Sequence, residues 1–137
     1  MKKICLFIVL TSLFLSCSDK ERSNNNPYIP NYSVNLSVNM SLPAYSDLKY
    51  PSSGVIVSGF GAKGIIIFYT GSGYTAFDAA CPNQELSSCV AMTIKGINAV
   101  CSCDKTEYSL FTGLGGKEYP LKQYKVDVAG MVLHVYN

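Results

Sequence analysis

Apolar and polar residues alternate through Val34, Leu36, Val38 and Met40, the period-two pattern of a strand with one buried face. Two β-branched runs follow, Val55-Ile56-Val57 and Ile65-Ile66-Ile67-Phe68-Tyr69, bounded by Gly59, Gly61 and Gly64 and then by Gly71 and Gly73. Further strands are predicted over residues 74–79, 91–95, 97–101, 107–111, 124–128 and 131–136, with Gly96 and Ala129-Gly130 as hairpin turns. No segment carries a 3.6-residue period, so no helix is predicted, and no internal repeat is visible. About eight to ten short strands without helices define an all-β domain, a small barrel or stacked sheets.

The amino terminus follows a different pattern. Behind Met1-Lys2-Lys3, residues 4–15 form an almost unbroken apolar stretch. It is shorter than the about 20 residues a membrane-spanning helix needs and fits the hydrophobic region of a secretory signal. Leu13-Phe14-Leu15-Ser16-Cys17 resembles a bacterial lipobox, which implies cleavage before Cys17 and lipidation of its thiol. Residues 18–22 are charged, and Ser23-Asn24-Asn25-Asn26-Pro27-Tyr28-Ile29-Pro30-Asn31 is polar and broken by proline, as in a flexible tether. The expected organisation is a signal peptide over 1–16, a lipidated terminus and tether over 17–31, and a β domain over 32–137. The expected location is the cell envelope, with acyl groups in the outer membrane and the domain on its periplasmic or surface side.

This processing alters the charge balance. The full chain has 11 basic and 9 acidic residues, and losing Lys2 and Lys3 leaves nine of each. A neutral mature chain has no basic stripe for phosphates, so nucleic acid is not an expected partner. Cys5 departs with the signal and Cys17 carries lipid, leaving Cys81, Cys89, Cys101 and Cys103. Four cysteines in an exported domain imply two disulfides, with three connectivities open.

Two segments carry the candidate chemistry. Cys81-Pro82-Asn83 follows the strand Tyr74-Thr75-Ala76-Phe77-Asp78-Ala79-Ala80, and Cys101-Ser102-Cys103-Asp104 follows the 97–101 strand. Beyond them lie the turn Tyr108-Ser109-Leu110-Phe111-Thr112-Gly113, the segment Tyr119-Pro120-Leu121-Lys122-Gln123-Tyr124-Lys125-Val126, and the last strand Val132-Leu133-His134-Val135. This ordered set, over roughly residues 50–136, resembles Rieske-type [2Fe–2S] domains. The resemblance implies a Rieske-like all-β fold of stacked antiparallel sheets, or a small partial barrel, with a two-loop cluster-type subdomain.

A Rieske centre binds one iron through two thiolates and the other through two imidazoles. In the resemblance Cys81 and Cys101 fall on the cysteine positions, while Asn83 and Asp104 stand where the histidines belong. A carboxamide is a poor iron ligand and a carboxylate a hard oxygen donor. Lys105 replaces the glycine that usually lets the second loop pass close to the cluster. His134, the single histidine, lies on the last predicted strand and reads as an ordinary strand residue. The resemblance also implies a pairing: in the Rieske proteins of respiratory cytochrome complexes the middle cysteine of the second loop bonds to the first loop. Cys103 matches that cysteine, and Cys89 is the nearest thiol to its partner position, Leu86. Cys89–Cys103 with Cys81–Cys101 is therefore implied, with Cys81–Cys103 and Cys89–Cys101 as the rival set.

Three functional readings follow. The first is a non-enzymatic, membrane-anchored module without a cluster, stapled by disulfides, that serves as a structural or binding domain for a protein partner the sequence does not name. Ten tyrosines and no tryptophan give it aromatic surface suited to recognition. The second is an electron carrier with an atypical 2Fe–2S cluster on Cys81, Cys101 and Asp104, aided by Cys89 or Cys103. The third is a thiol–disulfide oxidoreductase using Cys101-Ser102-Cys103, for which Lys105 is the one cation at hand to lower a thiol pKa. No titratable constellation argues for catalysis, and the first reading is the expectation.

Overall fold

The computed structural model describes residues 25–137; the signal segment, Cys17 and residues 18–24 of the tether lie outside the described residues. Among the described residues nine strands form: β1 Asn35–Asn39, β2 Ser53–Val57, β3 Ile65–Tyr69, β4 Tyr74–Asp78, β5 Thr93–Lys95, β6 Asn98–Val100, β7 Glu107–Ser109, β8 Gln123–Ala129 and β9 Val132–Tyr136. A six-stranded antiparallel sheet has the order β1-β9-β8-β4-β3-β2, and a three-stranded sheet has the order β5-β6-β7. The large sheet curls where β8 passes from β4 to β9. Only Ala76↔Tyr124 and Phe77↔Gln123 pair across the β4–β8 seam, whereas β8 and β9 pair from Lys125↔Tyr136 to Ala129↔Val132. Among the described residues no helix is long and apolar enough to cross a membrane.

The run Ile65 to Phe68 has no polar residue because β3 is buried on both faces. Ile65 and Ile67 join one core with Leu36, Val38, Leu48, Leu133 and Val135 inside the curl. Ile66 and Phe68 point the other way, into a second core with Phe77, Met92, Tyr108 and Leu110. Period-two side-chain direction turns one apolar strand into the wall between two cores. The second core joins the small sheet to the large one, and three of the four loop cysteines belong to it.

Two features differ from the expectations. Pro43–Lys49 forms a 3-10 helix; its proline start suits a helical first turn, and at seven residues it is too short to show a helical period. Residues 26–31, expected as part of the tether, pack on the domain. Ile29 is buried, and Lys122 donates to the Pro30 carbonyl and to Asn31 Oδ1 at 2.8 and 3.1 Å. Lys122 is itself buried; burial lowers its pKa, and the charge of Asp78 partly offsets this.

Asp78, wholly buried at the end of β4, fixes the exit toward the first cysteine loop. Its carboxylate accepts from the amides of Ala62, Lys63 and Ala80 and from the Tyr124 hydroxyl. Burial, then the Asp78 charge and this hydrogen bond, raise the Tyr124 pKa far above the usual phenol range. Gly61 has φ +63°, and a Cβ there would collide with the Asp78 carboxylate, so a side chain is excluded on two counts.

Candidate functional site

The first loop leaves β4 at Asp78 and returns at Thr93, tied back by the Met92 amide on the Ala79 carbonyl at 2.7 Å. The second loop is a tight turn after β6. The Cys101 amide donates to Thr106 and the Lys105 amide to Cys101, at 2.9 and 3.1 Å. Lys105 closes this turn at φ +61°, a left-handed conformation that glycine adopts without the cost a side chain brings. The lysine anchors itself there by donating Nζ to the Ser102 carbonyl at 2.8 Å.

The loops are joined twice. Cys81 is bonded to Cys101 with Cα atoms 5.4 Å apart, and Cys89 to Cys103 with Cα atoms 5.7 Å apart. The first pair is buried, at 4% and 1% exposure. The second runs from buried Cys89 to exposed Cys103. The sulfurs of Cys81, Cys89 and Cys101 all lie within 4.8 Å of one another, so both bonds share one site.

Asn83 occupies the first histidine position of the resemblance, and both ends of its amide are engaged. Its Nδ2 donates to the Tyr108 hydroxyl and the Tyr119 carbonyl, at 2.9 and 2.8 Å, while Oδ1 accepts from the Tyr119 amide at 3.0 Å. Tyr108 is buried under Gly115, where a Cβ would run into its ring. Burial raises the Tyr108 pKa, the Asn83 bond opposes that, and the Asp104 charge adds to it.

Asp104 occupies the second position. Oδ1 accepts from the Thr106 amide at 3.0 Å, and Oδ2 accepts from Gln84 Nε2 at 3.1 Å, with Lys117 Nζ at 3.5 Å. Desolvation is the largest single influence and raises its pKa. The hydrogen bonds of Thr106 and Gln84 and the charge of Lys117 together outweigh it, holding the carboxyl below its ordinary value. His134 sits on β9, where Nδ1 meets Ser37 Oγ of β1 at 3.1 Å.

These residues do not fit a Rieske cluster. Its two thiolate positions are bonded to each other, the Asn83 carboxamide oxygen is a poor iron ligand and is already engaged by the Tyr119 amide, and Asp104 offers a hard oxygen already bound to donors. The packed segment 26–31 also reaches the site, where Asn26 Nδ2 donates to the Pro82 carbonyl of the first loop at 2.8 Å and Tyr28 meets Tyr119, on the connection between β7 and β8, edge-on at 6.0 Å. The partners Gln84, Thr106, Lys117 and Tyr119 were not legible as site residues. They come from three connections, the two cysteine loops and the stretch between β7 and β8, and although Tyr119 opens one of the family-like segments, nothing local ties any of them to Asn83 or Asp104.

No protein-family model matches the chain, and no curated protein matches it. Solved structures do. It is similar to a chain from the complex of reduced oxygenase and oxidized ferredoxin in carbazole 1,9a-dioxygenase, at 21% identity and a TM-score of 0.51, over 77% of this chain and 94% of that one. It is also similar to the ferredoxin of carbazole 1,9a-dioxygenase from Nocardioides aromaticivorans IC177, at 16% identity and a TM-score of 0.46, over 77% and 97% of the two chains. The fold is Rieske-like, a curled antiparallel sheet carrying a small sheet with two loops at its end. At this identity the likeness concerns the fold, and function has to be argued from the site.

Proposed function

We propose that this protein is a lipid-anchored module of the cell envelope in which two disulfides take the place of an iron–sulfur cluster, and that it serves as a structural or binding domain. The observation that carries this reading is the engagement of Asn83. Both ends of the amide hold Tyr108 and Tyr119, so the position works as a clamp between loops instead of a ligand. With Cys81 and Cys101 bonded to each other, the cluster's role of joining the loops passes to covalent bonds. The lipobox at Cys17 supports attachment to a bilayer through acyl groups. The neutral mature charge supports a protein partner over nucleic acid. Val90 and Leu114, exposed at 70% and 62%, are apolar contacts that the loops would offer it.

The test is anaerobic purification, from iron-replete cells, of the mature chain with Cys17 replaced by serine, followed by an absorption spectrum, an iron assay and a thiol count after unfolding. Colourless, iron-free protein without free thiols is expected. A brown protein with stoichiometric iron would overturn the reading in favour of an electron carrier using Cys81, Cys101 and Asp104.

A further inference from the structure

The two disulfides differ in access and yet touch. Cys103 is exposed, whereas Cys89, Cys81 and Cys101 are buried together in the second core. The Cys89 sulfur lies within 4.8 Å of both sulfurs of the Cys81–Cys101 bond. A disulfide sulfur-to-sulfur distance is about 2.05 Å, so an exchange needs a closure of at most about 2.8 Å. That is on the scale of a side-chain rotation.

We infer that the four cysteines form a thiol–disulfide relay that takes two electrons at Cys103 from an external dithiol and passes them to the buried Cys81–Cys101 bond. A donor thiolate attacks Cys103 Sγ. The Cys89–Cys103 bond breaks, a donor–Cys103 mixed disulfide forms, and Cys89 leaves as a thiolate. The donor's second thiolate then attacks its own sulfur in the mixed disulfide. The donor departs as a disulfide, and Cys103 is left as a thiolate that takes a proton from solvent. The donor is thereby oxidised by two electrons and the Cys89–Cys103 pair reduced by two.

Inside the domain, the Cys89 thiolate attacks Sγ of Cys81 or Cys101. One sulfur–sulfur bond forms and one breaks, so this step has no net redox change, and the displaced thiolate takes up a proton. Cys89 is thus the transfer residue, and the buried bond is opened without unfolding the core that covers it. Cys103 then returns its proton to solvent, and its thiolate attacks Cys89 Sγ in the new bond. Cys89–Cys103 re-forms, the second buried sulfur leaves as a thiolate and takes up a proton, and the two electrons rest on Cys81 and Cys101. The inference does not depend on the proposed binding role.

Two measurements test it. In Cys103→Ser, which retains the Cys81–Cys101 bond, a single free thiol remains among three neighbouring sulfurs. The protein is equilibrated near pH 8, quenched in acid, alkylated and mapped by mass spectrometry. Label is expected on Cys81 or Cys101 as well as on Cys89; label confined to Cys89 would overturn the relay. In the second measurement, reduction of the Cys81–Cys101 bond by dithiothreitol is timed in the four-cysteine domain and in Cys89→Ser/Cys103→Ser, with circular dichroism verifying that both are folded. Loss of the entry point is expected to slow this reduction at least about tenfold, because a buried bond then awaits opening of the core. Equal rates would show that the buried bond is reached without Cys89 and would refute the inference.

Discussion

Removal of the buried crosslink by Cys81→Ala/Cys101→Ala is expected to destabilise the domain by about 5 kcal/mol. The chain between these cysteines spans a separation of 20 residues, worth about 3.3 kcal/mol alone at 25 °C. With Cys89–Cys103 intact, however, the path from Cys81 to Cys89, across that bond and on to Cys101 is about 10 residues, worth about 2.7 kcal/mol. Each truncation also deletes a buried sulfur from the second core, adding about 1 kcal/mol. Removal of the outer crosslink by Cys89→Ala/Cys103→Ala is expected to cost less. Its separation is 14 residues, worth about 3.0 kcal/mol alone. The two loops interleave, however. With Cys81–Cys101 intact, the shortest path from Cys89 to Cys103 runs back to Cys81, across the bond and on from Cys101. That path is about 10 residues long, so the outer bond contributes the same about 2.7 kcal/mol. With a single buried sulfur lost, at Cys89, its removal is expected to cost about 4 kcal/mol against about 5 for the buried pair. A domain of this size has about 5–15 kcal/mol in total, so loss of the buried bond alone removes a large part of it. Urea unfolding followed by circular dichroism and tyrosine fluorescence would measure both values. A cost below about 1 kcal/mol for the buried pair would refute the claim that this bond holds the loop subdomain together.

Asn83→Ala strands the Tyr119 amide and removes the donor to Tyr108; it is expected to cost about 1–3 kcal/mol in urea unfolding. Asp78→Ala leaves three amides and the Tyr124 hydroxyl without their acceptor and is expected to cost more than about 3 kcal/mol, read as a fall in thermal midpoint. Gly61→Ala, which meets both a positive φ and the Asp78 carboxylate, should destabilise the chain, whereas Gly59→Ala, with open space around its Cβ, bears the backbone cost alone. The folded pKa of Asp104 is lowered, so its stabilising contribution is present above the unfolded carboxylate value of about 3.9 and is lost as pH falls through the lower folded value. Asp104→Asn should therefore flatten the dependence of stability on pH below about pH 4, measured as urea midpoints across an acid series.

The strands were legible because their signals are local. Alternation through Val34 to Met40 marked β1, and the β-branched Ile65 to Tyr69 run between glycines marked β3, which the structure buries on both faces. The loops were legible because Cys81 and Cys101 each follow a strand within an ordered set of family-like segments. The 3-10 helix was not, since a seven-residue turn carries no period. The docking of residues 26–31 was also hidden. A polar, proline-broken segment reads as a tether by composition, and its anchor, Lys122, lies about ninety residues further on.

What the sequence by itself determined is the all-β class, the order of the strands and the absence of both histidines from the positions where a Rieske centre would need them. These follow from residue identity and short-range periodicity, and no arrangement in space can supply an imidazole that the chain lacks. The tertiary structure decided what the substituted positions do. Asn83 becomes a clamp because Tyr108 and Tyr119, 25 and 36 residues away, converge on its amide. The cysteines become two adjoining bonds because β4, β6 and the second core bring the sulfurs of Cys81, Cys89 and Cys101 within 4.8 Å of one another. Both are long-range contacts, and a one-dimensional pattern carries no information about which distant segments the packing of two cores will bring together.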